Sequence, residues 1–390
     1  MARQKKHING SKDSLTIERI KDISLLENIR EDWNLLLEKN KTKTVELTYE
    51  WQITNWKYLK GNDELFVLAV REAGSLVAIA PLKLAYRKLY GIRIRLLEFI
   101  AAKDSNYQDF IVGKNSEDIL ECIFDYLVSI QESWDILSLS HIPETANIAN
   151  YIQKRPKDSL LFKTANVDKC VYLESNISWE EYNKSRKSTR IRMNKRMKRL
   201  RKRGEISFFH CKDERQLISN LQKFFELHRK RWNKTETPSQ FNDQRYCRFY
   251  EEVSIKLKSK GLVNLYVVNV GDIPVAMLYS FMFDRIYLGQ LVVFNDEYEE
   301  GSPSIVIIEL FVQQAFKNSS EIIDLGSYYP YKEYWARSQK KRLDFEIYQK
   351  RGIPYLIYAL TTLRQALKSG ARYIPFMMII IRNLRGRKRF

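Results

Sequence analysis

Apolar residues along this chain recur first at helical spacing and then at strand spacing, and the changes of period mark out its elements. Over 24–39, Leu25, Leu26, Ile29, Trp33, Leu36 and Leu37 predict one helix. The aromatic stretch TYEWQITNWKYLK, with Trp51, Trp56 and Tyr58, predicts a second, shorter helix packed inward. Runs of β-branched and apolar residues follow. LFVLAV (65–70) and LVAIAPLKLAY (76–86) flank a glycine-containing turn and read as a hairpin. RIRLLEFIA and QDFIVG read as further strands, and WDILSLS as a buried strand. EDILECIFDYLVSIQ reads as a helix, with Ile119, Ile123, Leu127 and Ile130 on one face.

The second half repeats this order. NLYVVNV (264–270), a Gly-Asp-Ile turn and PVAMLYSFMF form a hairpin; DRIYLGQLVVF continues the sheet, SPSIVIIELFVQQAFKN is a helix, and EIIDLG is a strand. Leu65 and Asn264 stand 199 residues apart, and Asp135 and Asp324 stand 189 apart, so one series of elements occurs twice. Such recurrence predicts two similar α/β domains.

Between the halves, Ile191, Met193, Met197 and Leu200 form a thin apolar stripe on an otherwise cationic helix that Gly204 ends. A strand, ISFFHC, and a long helix from about Glu214 to Trp232 open the second half. The expected organisation is a tail over 1–14, an N-terminal domain over 15–175, a basic linker helix over 176–204, a C-terminal domain over 205–352 and an amphipathic, basic extension over 353–390.

Charge sharpens this picture. The formal charge is +19, from 66 Lys and Arg against 47 Asp and Glu. Residues 184–203 hold twelve of the cations and no acid, and 382–390 hold five more. Without those seventeen the chain carries only +2, so any polyanion or membrane contact rests on two short segments.

With 44% hydrophobic residues, real cores can form and a disordered chain is excluded. Cys122, Cys170, Cys211 and Cys247 show neither a C-x-x-C pair nor nearby histidines, so no metal site is expected and a reducing cytoplasmic setting fits. No apolar run follows the charged N-terminus as in a signal peptide. The run from Ile374 to Ile381 is far short of the roughly 20 residues that span a bilayer. Its basic end suits attachment to an anionic membrane on the inner face.

Several ordered pieces carry a resemblance. Leu227-His228-Arg229-Lys230-Arg231-Trp232 resembles an H-x-x-R-W helix end; NVGDIPVAM, FNDEYEEGSPSIVIIELFVQQAF and IIDLGSYYPYKEYW resemble a strand–turn–strand, a loop–helix and a D-x-G…Y-K-x-x-W closing segment. LTYEWQITNW and VREAGSLVAIAPL add to the likeness in the first half. Together they resemble the GNAT acyltransferase superfamily, in particular the CelD-type acetyltransferases associated with cellulose and exopolysaccharide biosynthesis, related to the FemAB peptidyltransferases. That resemblance implies two tandem GNAT-like domains joined by the basic helix. It also implies an acetyl-CoA or other acyl-CoA donor, and a sugar, sugar-nucleotide or envelope-polysaccharide precursor as acceptor of the acyl group at an amine or hydroxyl. The alternatives are a FemAB-like transferase using aminoacyl-tRNA, the one reading that brings in a nucleic acid, and a non-enzymatic membrane or nucleic-acid adaptor.

The same resemblance assigns candidate residues. Gly301, Ser302 and Ser304 open the helix that begins at Pro303, where unpaired N–H groups favour a pyrophosphate, Ser302 is placed to cap, and proline is tolerated. An ordinary capped helix would look alike. Two departures stand out: glycine precedes the Ser-Pro pair where the family places it after, and Glu299 and Glu300 would repel phosphate unless they point away. Backbone N–H groups of Leu291, Val292 and Val293 would polarise the thioester carbonyl. His228, Asp324 and Tyr334 are the candidate catalytic groups, and Arg231, Trp232 and Lys332 the candidate acceptor contacts. Each has a packing alternative: a helical histidine, a strand-end carboxylate and a tyrosine cluster serve structure as readily as chemistry.

Overall fold

Leu26, Ile29, Trp33, Leu36 and Leu37 are all buried, as the apolar stripe requires, yet they do not lie on one helix. In the computed structural model, which describes residues 5–7, 15–114, 116–154 and 160–368, α1 (Ile23–Glu27) stops and α2 (Arg30–Lys39) restarts after Ile29. Asp22 caps α1 by accepting the Ser24 N–H at 3.0 Å. The turn at Asn28 and Ile29 lets Trp33 reach the Leu47 carbonyl with its indole N–H, at 2.9 Å. Within the stretch expected as a tail, Lys5–His7 forms β1 against β2 (Leu15–Ile20).

The first half continues through α3 (Tyr49–Leu59), β3 (Glu64–Glu72), β4 (Ser75–Leu89), β5 (Ile92–Phe99), the two-residue β6 (Ile111–Val112), α4 (Ser116–Ser129), β7 (Ile136–Pro143), α5 (Asn147–Lys154) and β8 (Leu160–Glu174). After α6 (Trp179–Ser185) and the basic α7 (Lys187–Arg201), the series returns as β9 (Ile206–His210), α8 (Glu214–Trp232), α9 (Gln244–Lys258), β10 (Val263–Val270), β11 (Ile273–Phe283), β12 (Ile286–Phe294), α10 (Pro303–Lys317), β13 (Ile322–Ser327) and β14 (Ser338–Gln349). Antiparallel hairpin, third strand, helix and parallel strand thus occur twice, as the sequence period predicts. The fold is two tandem α/β units joined by a basic helix.

The strands form one sheet in the order β1-β2-β3-β4-β5-β7-β14-β8-β13-β12-β11-β10-β9, with β6 beside β4. Its middle is a reciprocal exchange. β8, from the first half, pairs with β13 of the second; β14, from the second, pairs with β7 of the first; and β8 and β14 pair with each other along their length. Each half is completed by the other's last strand, so the junction is continuous sheet.

Helices cover both faces. At the junction α3 packs on α9, and Trp51 meets Phe249 and Phe281 edge-on at 4.9 and 5.1 Å, arrangements in which ring edges face π clouds. α6, α7 and α10 cover the opposite face of the second half, where Val306, Ile307, Phe311 and Val312 are buried on the sheet. The last described element is α11 (Gly352–Lys368), which buries Ile357 beside Tyr348. The apolar run at 374–381 and the basic stretch at 382–390 lie outside the described residues. Among the described residues, no helix is long and apolar enough to cross a membrane.

Candidate active site

β12 and β13 run parallel but do not stay together. Their pairs are Ile286 with Ile322, Tyr287 with Ile323, and Leu288 with Asp324; beyond that row β12 continues to Phe294 and β13 turns away to meet Cys170 on β8 through Ser327. Two features produce the parting. β12 bulges at Gln290, where the register against β11 shifts between Ser280–Gly289 and Tyr279–Leu291. β13 turns at Gly326, whose φ of 71° only glycine adopts freely. Gly289 to Val292 are left half-buried along the gap. Leu291, Val292 and Val293, the candidate polarising residues, lie on the strand past this point.

Asp324 sits in the last paired row with its side chain 1% exposed. A buried carboxylate requires partners, and it has three. Tyr107 donates its hydroxyl to Oδ2 at 2.7 Å, Lys340 Nζ lies 2.6 Å from the same oxygen, and the Gly326 N–H bonds to Oδ1 at 2.7 Å. Beside the carboxylate opens a cavity of about 330 Å³, floored by Phe281, Ile286 and Leu288 and reached by Tyr107, Tyr172 and Lys340.

Tyr107 comes from the first half, and a second buried acid positions it. Glu46 is fully buried and accepts the backbone N–H groups of Asn106 and of Tyr107, the latter at 3.0 Å. Burial pushes the Glu46 carboxyl up to about 7, against the pull of those two N–H donors. The Asn106 amide bonds to the Gln290 side chain on the bulge, so the loop is tied directly to the parted strand. Burial, and the charge of Asp324 after it, also raise Tyr107 well above the usual phenol range, so its hydroxyl stays protonated and donating.

Lys332 closes the other side of the gap. Its Nζ is bonded to the carbonyls of Leu325 and Ser327, at the point where β13 turns. Burial lowers it to about 8, with Asp324 opposing. Arg342, on β14, holds the same turn by bonding Ser327 Oγ at 2.8 Å, the Asn106 carbonyl at 2.9 Å and Asp168.

The loop before α10 is a 3-10 turn over Asp296–Gly301, started by Asn295, which accepts the Glu297 N–H at 3.1 Å. Ser302 takes the capping position with φ 48°, but its side chain makes no capping bond. Its carbonyl instead accepts the N–H groups of Ile305 and Val306, so the expected Ser302 cap is replaced by a backbone turn. Pro303 brings no N–H, and Ser304 follows in the first helical turn.

α7 packs on this loop and on α10, so the basic helix is more than a connector. Met193 and Leu200 are its buried anchors, whereas Ile191, expected on the same stripe, is 47% exposed. Leu200 lies over Gly301 so closely that any Cβ there would overlap it. Arg199 donates to the Glu300 carbonyl at 3.0 Å, and Arg203 bonds the Glu297 carbonyl with its guanidinium 3.7 Å from the Tyr298 ring centre.

The remaining candidates do not meet Asp324. His228 shares a hydrogen bond with Ser239 Oγ at 2.8 Å, stacks on Trp232 and meets the edge of Phe241. Burial first, and Arg231 second, lower its imidazole to about 4. Arg231 lies 3.9 Å from the ring centre of Phe294, at the far end of β12, and Trp232 is 38% exposed. Tyr334 sits beneath Arg192 and Arg196 on the opposite face of the sheet. Its carbonyl accepts from Arg186, which also pairs with Glu309, and Glu309 in turn accepts the Trp335 indole N–H at 2.6 Å. The Y-K-x-x-W segment is thereby fastened to α10.

Tyr107, Glu46, Lys340 and Arg342 were absent from the sequence-derived set. No local motif marks them: Tyr107 lies in a polar loop, and Lys340 and Arg342 sit on a strand whose pairing partner is in the other half. No group of acids, histidines and cysteines able to hold a metal occurs among the described residues.

A parallel strand pair that parts at a bulge, followed by a loop and helix on one face, is the arrangement that the resemblance to the GNAT superfamily leads one to expect. Residues 187–333 match the family model of the acetyltransferase (GNAT) domain. FemX is similar in fold over 85% of this chain and 98% of its own, at 12% identity and a TM-score of 0.60. A conserved protein of unknown function from Bacteroides thetaiotaomicron is similar over 90% and 100%, at 8% identity and 0.53. The C-terminal domain of a putative lysylphosphatidylglycerol synthetase from Agrobacterium fabrum is similar over 89% and 99%, at 10% identity and 0.51. No curated protein matches the sequence. Over residues 187–333 the chain thus carries a GNAT-type acetyltransferase domain.

Proposed function

We propose that this enzyme transfers an acyl group, acetyl in the first instance, from an acyl-CoA thioester to an amino or hydroxyl group. The CelD-type resemblance suggests a sugar, sugar nucleotide or envelope-polysaccharide precursor as acceptor. The observation that carries the reading is the parting of β12 and β13 immediately beyond the buried Asp324. In this scheme the donor's pantetheine arm enters the gap, and backbone N–H groups along Leu291 to Val293 stabilise the charge that develops on the thioester oxygen. Asp324 takes the acceptor's proton, held in place by Tyr107 and the Gly326 N–H. As the acceptor bonds to the carbonyl carbon, the C–S bond breaks and the thiolate leaves, with Tyr334 as the proposed source of its proton.

Gly301, Ser302 and Ser304 are proposed to face the pyrophosphate, and the exposed cations of α7 to supply countercharge. Arg231 and Trp232, at the far end of β12, line the acceptor's approach, while Lys332 fixes the turn of β13. His228 is assigned to supporting Trp232 as a neutral ring. Incubation with radiolabelled acetyl-CoA and a panel of amino sugars, sugar nucleotides and simple amines tests the reading: it requires acceptor-dependent transfer that Asp324→Asn abolishes.

A second reading, peptidyl transfer from aminoacyl-tRNA, draws on the correspondence with FemX across both halves and on the arginine-rich face of α7. Salt-dependent RNA binding without any affinity for CoA would favour it. Peripheral membrane contact through the C-terminus is proposed on the exposed Ile353, Tyr355 and Leu356 of α11; co-flotation with anionic liposomes tests it.

A further inference from the structure

The ammonium group of Lys340 occupies a site of its own. Its Nζ lies 2.6 Å from Asp324 Oδ2, 4.4 Å from the ring centre of Tyr107 and 5.8 Å from that of Tyr172. A buried carboxylate flanked by two aromatic faces is what a desolvated primary ammonium needs, because one partner supplies the opposite charge and the others their π faces. The site borders the 330 Å³ cavity, whose floor of Phe281, Ile286 and Leu288 can receive a body larger than a lysine stem.

The two partners of this ion pair are unequally held. Asp324 is fixed by Tyr107 and by the Gly326 N–H and is 1% exposed, whereas the Lys340 side chain is 32% exposed on β14. A flexible, partly solvated lysine gives up such a position at little loss, since its ammonium regains hydration outside. The carboxylate cannot follow it.

We infer that the end of this cavity at Asp324 is a primary-ammonium subsite for the acceptor, occupied in the free protein by Lys340, which an incoming amine displaces. The inference rests on the acyl-transfer reading only for the fate of that amine. It commits the acceptor to an amine, because a neutral hydroxyl cannot replace the positive charge that Lys340 takes away. Lys340 is accordingly a built-in competitor that sets the concentration at which amines enter.

Calorimetric titration in the absence of any donor tests this directly, using two matched pairs: hexylamine against hexanol, and glucosamine against glucose. At least one amine should bind the wild-type protein at least tenfold more tightly than its alcohol. Lys340→Met and Lys340→Ser should bind that amine a further tenfold more tightly and leave the alcohol unchanged, and Asp324→Asn should abolish the preference. Equal binding of amine and alcohol, or an amine affinity unchanged or weakened in folded Lys340 variants, overturns the inference.

Should those variants not fold, the wild type carries its own readout. In protein with 13C-labelled lysine, the ε-methylene protons of Lys340 should be shifted upfield by the Tyr107 ring and should return to the ordinary lysine position as amine is added. A Lys340 signal that stays in place at saturating amine overturns displacement. Amine binding without acetyl transfer would refute the proposed reaction and leave this subsite standing, whereas transfer to hydroxyls alone would do the reverse.

Discussion

Tyr107 and Asp324, 217 residues apart in the chain, meet through a 2.7 Å hydrogen bond from the phenol to the carboxylate. The first half of the protein thus delivers a side chain to the strand at which the second half opens. A hydrogen bond to a charged group is worth about 1.5–3 kcal/mol. Tyr107→Phe is therefore expected to lower kcat by roughly ten- to a hundredfold while the protein remains folded, as steady-state kinetics and circular dichroism would show.

Asp324 and His228 should separate in their effects. With its imidazole lowered to about 4, His228 is neutral throughout the physiological range. His228→Gln is expected to leave the shape of the kcat/KM profile between pH 6 and 9 unchanged and to lower its height less than about tenfold. Asp324→Asn is expected to remove roughly a hundredfold or more, the usual range for a general base. A limb of the profile that vanishes only in the His228 variant would reverse these roles.

Gly301 is expected to matter through packing. A Cβ at that position overlaps Leu200 of the basic helix, and overpacking of this kind costs about 1–3 kcal/mol. Gly301→Ala should lower the urea midpoint, and adding Leu200→Ala should recover part of the loss. A double variant no more stable than Gly301→Ala would remove this explanation.

Stability should fall as pH rises toward neutrality. Glu46 and Asp109 are fully buried, and burial raises both to about 7 from the ordinary 4.5 and 3.8. Between those values the folded state holds protons that the unfolded chain has released, so each group removes up to about 1.4 kcal/mol per pH unit. His228, lowered by burial, works in the opposite direction between about 4 and 6.5. The decline should therefore run from about pH 5 to 7 and level off above it, and Glu46→Gln should flatten it in urea titrations.

Local pattern was enough to reveal the repeated hairpin–strand–helix–strand series, the helix opening at Pro303 and the strand that carries Asp324, because each depends on residues close in sequence; that strand runs on to Ser327, so Asp324 lies within it and not at its end. β8 and β14 escaped prediction. LLFKTANVDKCVYLE and SQKKRLDFEIYQ mix polar and apolar residues, and their partners lie in the other half of the chain. The site residues those strands carry, Lys340 and Arg342, escaped with them. The break at Asn28 was equally hidden, since a stripe of leucines looks the same whether the helix is whole or divided. Gly301 was singled out as part of the loop that opens α10, yet its close neighbour is a leucine on the basic helix, a contact that sequence spacing could not supply.

The central claim is that the gap between β12 and β13 receives the acyl donor. Hydrogen–deuterium exchange with and without acetyl-CoA tests it most directly. The account predicts slowed exchange at residues 290–294 and 325–327 when acetyl-CoA is added, with the first half unchanged apart from the loop at 104–108. Acetyl-CoA that binds while protecting only other segments, or that leaves exchange in these strands untouched at millimolar concentration, would contradict it.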